Sequence, residues 1–576
     1  MGQGESLKLT RRTLLATAAA LPFAGCAPAI QTSYSGDWVG AAHARGHRLR
    51  DLKSGNLPAP VVQRRASMLV IGGGIAGLSC ARGLIRAGID DVQVLDLEDS
   101  AGGNSRSHRV GGMACPLGAH YLPVPGEDSV DVIALLEELG LRRTVDGKAV
   151  YDERHLCHSP QERLFIEGHW VEGLLPPLEA LPANEREVTA AQYRRFGQAV
   201  TKAAQVSQGL AFRMPTARSV WSPELSALDA ITFSNWLDTN GYTSPALRWY
   251  LDYCCRDDYG AGASQVSAWA GVHYFASRHG FHAPGEASIG MTNERDGVLT
   301  WPEGNGWLSQ RMAAPLAGRL HTGQVALRVS ETRFEVTVDT WNDTEQRAER
   351  WTAQQAVMAV PVFIAARLIT SPTNALVQAA AALNYSPWLV ANVHIDAPLD
   401  DRPGAPPSWD NVVYDPQRRS PALGYVDAMH QSTRPHAGPT VLTAYWALGG
   451  DSVDQLLKQR ARLMNEPWSA WADAVIADAA RAHPDLKSKI RQVDLMRYGH
   501  AMAVPSPGVR SSAALLALAA PLTRSRVHFA HADLSGYSVF EEALGQGVAA
   551  ARRVSASENQ NKSKGKTEGN GNQPKG

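Results

Sequence analysis

The sequence predicts an α/β fold, a Rossmann-like parallel sheet with a second, mixed α+β domain interleaved along the chain. Three observations carry the prediction. The apolar run Met68-Leu69-Val70-Ile71 leads into Gly72-Gly73-Gly74-Ile75-Ala76-Gly77, then a helical stretch stopped by Gly88, then Val92-Gln93-Val94-Leu95 ending in Asp96. Near the other end, Val527-His528-Phe529-Ala530 again reads as a strand, with Asp533 at its end and an alanine-rich helix beyond. With 576 residues the chain is too long for one ordinary core, so two domains are expected.

The first segment reads as an address. Thr10-Arg11-Arg12-Thr13-Leu14-Leu15, followed by the weakly apolar stretch Ala16–Gly25, is a twin-arginine pattern too short to span a bilayer. Residues 1–29 are therefore expected to be an export signal read by the twin-arginine translocase, placing the protein in the periplasm or outside the cell. Phe23-Ala24-Gly25-Cys26 offers a lipidation box at Cys26, and cleavage after Ala27-Pro28-Ala29 is the competing reading. A lipid on Cys26 would be the sole membrane contact. Residues 30–65 read as a lead-in crossing the surface.

The glycine turn comes next, and its chemistry is specific. Gly72 permits the tight turn, Gly74 lets backbone N–H groups approach a pyrophosphate, and Gly77 lets the helix lie close to the strand. Ile75 and Ala76 open the helix, whose free N–H groups and positive end favour phosphate. Asp96 stands where a carboxylate accepts ribose hydroxyls. A second pair, Gly102-Gly103, follows the acid, with Asn104 and Arg106 after it. A dinucleotide longer than NAD needs such further close backbone, which argues for FAD.

These motifs resemble the flavin-containing amine oxidase superfamily, which includes phytoene-desaturase-like and protoporphyrinogen-oxidase-like enzymes. Its members usually carry arginine directly after the second glycine pair; here Asn104 stands there, with Arg106 two positions on. The resemblance implies that Pro116-Leu117-Gly118-Ala119-His120-Tyr121 runs beside the flavin and that Val329 approaches the adenine. It implies that Trp301–Leu308 precedes a strand pair and that Ala356–Pro361 is a returning strand. It also implies that Asp533 meets the ribityl chain, and that Val539 and Phe540 face the flavin in the closing motif. His120 and His500 become candidate proton partners, and Tyr537 a candidate cavity residue.

Departures from the amine oxidases matter as well. Their lysine, water-bridged to flavin N5, aligns with Ala391, and their two cage rings align with Val539 and Ala501. Both differences argue against an amine substrate and against oxygen as the efficient oxidant.

Domain boundaries follow from these motifs. Residues 66–125, 296–370 and 490–553 should form the FAD domain, 126–295 and 371–489 the substrate domain, and 554–576 a disordered tail. Asp128–Leu141 and Ser452–Ala482 carry helical spacing, and Gln324–Asp339 alternates like a strand pair. Zero formal net charge excludes a general nucleic-acid binder. Six cysteines show no zinc spacing, so no metal site is expected, and none is singled out for a disulfide. The sequence thus predicts an exported FAD-dependent oxidoreductase that moves a hydride equivalent from a small organic molecule to flavin N5. An amine competes with a C–C or ring substrate, and the electron acceptor is not legible. The alternative is a flavin-binding envelope or assembly protein without turnover.

Overall fold

The computed structural model describes residues 34–54, 57–278, 280–283, 297–434, 436–520 and 525–569. The predicted export signal, its cleavage sites and Cys26 lie outside the described residues. Strand Val62–Ile71 is the centre of the first sheet, parallel to Val92–Leu95 on one side and to Arg347–Met358 on the other. Leu320–His321 extends the sheet beyond Val92–Leu95, and Val527–Phe529 joins in parallel at the end of Arg347–Met358. Gln324–Glu331 and Val336–Asn342 form the predicted strand pair and add two antiparallel strands.

Glycines set the packing of helices on this sheet. Helix Ile75–Arg86 buries Leu78, Ala81 and Leu84 with Val70 and Val94. The last helix, Phe540–Gly569, crosses it so closely that a Cβ on Gly547 would lie 1.9 Å from Ser79 Oγ. The two ends of the chain therefore meet at the nucleotide turn, as the paired motifs require.

The second sheet runs Ile490–Val504, Asn384–Ile395, Thr440–Ala447, Ala422–Asp427, Asp410–Val413, Glu162–Ile166 and His169–Glu172 in spatial order. Period-two alternation splits its second strand, Asn384–Ile395. Leu389, Ala391 and Val393 pack against Trp471, Val475 and Ile476. Trp388 and Val390 face the opposite way, toward a helical layer that includes Pro245–Tyr259 and Ala268–Ala276.

Several boundaries differ from those predicted. Ile490–Val504, assigned by sequence to the FAD domain, pairs along its length with Asn384–Ile395 in the second sheet. Helix Asn374–Ala382, assigned to the substrate domain, buries Leu376 and Ala379 against the first sheet's outer face. Both segments are apolar, and composition does not say which sheet an apolar segment joins. The tail expected from 554 continues as helix to Gly569, because Glu558, Gln560, Lys562 and Lys564 are good helix formers. The lead-in also docks: Ser35, Asp37 and Val39 bond to strand Ile490–Val504, Arg45 pairs with Asp343 just past Val336–Asn342, and Val62–Ile71 begins inside it.

Other expectations hold with shifted ends. Helix Val130–Glu138 occupies the first predicted helical stretch, and Val453–Asn465 and Trp468–Ala479 the second, broken at Pro467. Among the described residues no helix is long and apolar enough to cross a membrane. Cys80, Cys115, Cys157, Cys254 and Cys255 are free thiols.

Candidate active site

The glycine turns make a cradle that side chains would fill. Gly72 has φ +108°, and a Cβ on Gly77 would lie 1.8 Å from the Gly72 oxygen. Gly102 and Gly103 also hold positive φ, and Gly103 packs against Gly74, which bridges to Gly102. No side chain caps the helix at Gly74, so its first N–H groups, beginning at Ile75 and Ala76, stay open to a phosphate. Asp96 Oδ2 accepts the Gly73 N–H at 2.6 Å and Oδ1 the Glu98 N–H at 2.8 Å, which locks the acid at the turn. A pyrophosphate-bearing dinucleotide fits this cradle, and FAD is the group that the second glycine pair accommodates.

Beside the cradle lies a cavity of about 150 Å³ with a mostly apolar lining. Gly118, Ala119 and His120 form one wall; Trp388, Val390 and Tyr445 another; Val539, Phe540 and Glu541 a third. Gly118 must lack a Cβ, which would meet the Asn104 oxygen at 2.2 Å, and its own carbonyl accepts the Tyr445 hydroxyl at 3.0 Å. His120 stacks on Tyr445 with centroids 4.2 Å apart. Burial lowers its pKa to about 3, so it is a neutral ring at working pH. Asn305 donates to the Tyr121 carbonyl at 2.9 Å while its buried Oδ1 has no partner. An orphaned acceptor on a cavity wall suits a bound polar group.

The opposite end is acidic. Asp257 and Asp258 sit at the end of helix Pro245–Tyr259 and line the cavity. Arg278 holds Asp258 through two contacts of 3.0 Å. Asp257 has no such cation among the described residues: Tyr121 donates to it at 3.3 Å, and burial with Asp258 nearby raises its pKa to about 7. Burial likewise raises Glu541 to about 7, although Arg278 opposes the shift. Burial and Asp257 raise Glu162 to about 7, and burial with Glu162 and Asp257 pushes Asp410 well above its usual range. Among the described residues that line the cavity, Asp257, Asp258 and Glu541 outnumber the guanidinium of Arg278, so in their ionised forms they favour a cation.

The structure gathers some predicted residues and disperses others. Asn104, Gly118, Ala119, His120, Val539 and Phe540 line the cavity. His500 does not: it is exposed beside Phe363 and lines a separate cleft with His43 and Arg106. Tyr537 is fully buried, donating to Glu542 at 2.9 Å and packed by Tyr259 and His273, so it is a core residue. Asp533 is buried, and its Oδ2 accepts the Val362 N–H and the Tyr385 hydroxyl, while its Oδ1, 3.1 Å from His531 Nδ1, accepts no hydrogen bond among the described residues. Val329 is buried, with its carbonyl taken by Thr370, which leaves no support for an adenine contact through that oxygen. Arg106 is spent on the Gly103 and Gly40 carbonyls rather than left free for phosphate. Asn104 donates to Ala501. Ala391 faces away from the cavity, and Val390 is the neighbouring residue on that strand that faces in.

Trp388, Tyr445, Tyr498, Arg278 and Glu541 also line the cavity and carry no signal in the sequence that singles them out. For Asp257 and Asp258 the sequence offers the trio Arg256-Asp257-Asp258, which reads as a polar entrance or, more readily, as a surface charge cluster.

A family model described as flavin containing amine oxidoreductase matches residues 75–555. L-amino acid dehydrogenase of Synechocystis sp. is 24% identical over 310 residues, 53% of this chain and 58% of its own length. Putrescine oxidase of Kocuria rosea is 37% identical over 87 residues, 15% of this chain and 17% of its own. The chain thus spans little more than half the length of the former and far less of the latter. Among solved structures, cyclohexylamine oxidase from Brevibacterium oxydans superposes with a TM-score of 0.61 at 18% identity, over 86% of this chain and 99% of its own.

Proposed function

The chain belongs to the flavin-containing amine oxidoreductase family, and on that premise we propose that it oxidises a small cationic amine. FAD is its cofactor, and the chain is an oxidoreductase rather than an inert flavin plug. The observation that carries the amine reading is the excess of buried carboxyl groups at one end of the cavity, with Arg278 already committed to Asp258. A neutral C–C or ring substrate would leave those groups without purpose.

FAD, when bound, accepts the hydride equivalent from the carbon next to nitrogen. The chain's own residues do the rest. Asp257 holds the ammonium group, and its Oδ1 or Oδ2 takes the proton that must leave before the nitrogen lone pair can assist oxidation. A carboxyl group with a pKa near 7 suits that transfer better than an ordinary aspartate. Tyr445, Trp388 and the neutral His120 ring exclude water and offer ring faces to the cation. The two cage positions occupied by Val539 and Ala501 are thus answered by rings from other strands.

Ala391, which aligns with the family's lysine, faces away from the cavity, and strand Asn384–Ile395 offers no lysine to assist oxygen, which favours an acceptor other than oxygen. Anaerobic addition of primary amines should bleach the flavin absorbance, and reoxidation should be faster with a quinone or dye than with air. Bleaching by unsaturated or ring donors alone would overturn the amine assignment. Arg11 and Arg12 support export through the twin-arginine translocase to the periplasm. Replacing both with lysine should leave the protein in the cytoplasmic fraction.

A further inference from the structure

Residues 34–48 form a feature that neither the cradle nor the cavity uses. They run first along Ile490–Val504, the edge strand of the second sheet. The Val493 N–H donates to the Ser35 carbonyl at 2.8 Å, Leu495 to Asp37 at 2.9 Å, and the Val39 N–H to Leu495 at 2.8 Å. Edge strands left bare invite pairing, and this segment takes that place.

The same residues then cross to the nucleotide turn. Glu98 accepts the Ala42 N–H at 3.0 Å, and Arg106 donates to the Gly40 carbonyl at 2.8 Å. Arg45 donates to the Leu97 carbonyl and pairs with Asp99 and Asp343, each at 2.7 Å. Every partner on the turn lies between Leu97 and Arg106, the loop that carries the second glycine pair. The loop is also held from other sides, by the Gly102 N–H on the Gly73 carbonyl and by Asn104 on Ala501, and this segment's bonds add a further tie across it.

Two further facts place the segment next to the cofactor's path. The cleft beneath it is lined by Ala42, His43, Gly103, Asn104 and Tyr498, and Asn104 and Tyr498 also wall the flavin cavity. Its fit is close: a Cβ on Gly36 would lie 1.8 Å from the Val493 oxygen, and one on Gly40 2.7 Å from Met496 Sδ.

We propose that residues 34–48 are a cofactor-retaining strap, which ties the second sheet to the 97–106 loop so that FAD leaves only when the strap lifts. The proposal rests on FAD as the cofactor, and the flavin content of purified wild-type protein checks that separately. Arg106 gives it a physical reading: the arginine next to the dinucleotide turn holds the strap instead of a phosphate.

The test uses the full-length holoprotein. Gly36→Ala must lift the strap sterically, and Arg45→Ala removes its charged anchors. FAD release is followed by the recovery of free-flavin fluorescence, and strap docking by the rate of tryptic cleavage after Arg48. Losing one charge-assisted anchor should speed release about tenfold in Arg45→Ala, and more in Gly36→Ala. In wild-type protein, stripping FAD should speed cleavage after Arg48. Release at the wild-type rate from a variant whose strap is cleaved faster overturns the proposal. A wild-type cleavage rate that is the same with and without FAD overturns it too, and that arm needs no variant to fold.

Discussion

The dinucleotide cradle and the cavity beside it are built on opposite principles. The cradle comes from one short stretch, Ile71–Arg106, and works through backbone that glycine leaves bare. The cavity is assembled from side chains on segments as far apart as Asn104 and Glu541, and works through charge and ring faces. The first is specified by local geometry, so substitutions there should be all-or-none. The second is specified by which strands and helices meet, so its substitutions should be graded.

The largest expected effect breaks the cradle. Gly77→Val places carbon where only 1.8 Å separates a Cβ from the Gly72 oxygen, and neither helix nor strand can retreat from the packed sheet. Strain of about 3 kcal/mol or more should weaken FAD binding by about two orders of magnitude, read as loss of yellow absorbance. Circular dichroism separates that loss from unfolding.

Asp257→Asn comes next and acts on the cavity alone. Losing a charged partner for the ammonium should raise KM for an amine about 10- to 100-fold with flavin content unchanged. The pH dependence carries a sign. Because burial raises Asp257 to about 7, wild-type KM should fall as pH rises through 7 and the carboxylate charges. That limb should flatten in the variant, leaving the smaller part due to Glu541. Stability runs the other way. The buried acid stays protonated in the fold while the unfolded chain ionises near pH 4, so its stabilising share is full below about pH 4 and lost as pH rises through 7. The melting temperature of Asp257→Asn relative to wild type should therefore climb across that window.

A smaller step is Tyr445→Phe, which removes the bond to the Gly118 carbonyl but keeps the ring stacked on His120. A loss of about 0.5–1.5 kcal/mol is expected, visible as a lower melting temperature with modest change in KM.

What was legible in the sequence follows the same division. Gly72, Gly77 and Gly102–Gly103 could be read because the chain's own backbone demands glycine there, whatever surrounds it. The strand pair within Gln324–Asn342 could be read because alternation is local. Asp257 and Tyr445 could not, since nothing within ten residues of either shows that helix Pro245–Tyr259 and strand Thr440–Ala447 converge on one cavity. Tyr537 differs for a related reason: it sits beside a correctly identified motif, but its ring lies in the core with its hydroxyl on Glu542. Position along the chain was right and direction was not.

His500→Ala should have the smallest effect, and it tests the contrast between neighbourhood and direction most directly. His500 lies on the same strand as Ala501 and Met502, which line the cavity, yet its exposed ring rests against Phe363. A base acting on substrate must reach within hydrogen-bonding distance of it, and a ring facing another cleft does not. Its removal should change kcat/KM for an amine less than about twofold, in line with an ordinary surface substitution. A drop of about 100-fold, the lower end for a lost general base, would mean that this strand turns over when substrate binds. The cavity walls assigned to Ala501 and Met502 would then have to be reassigned with it.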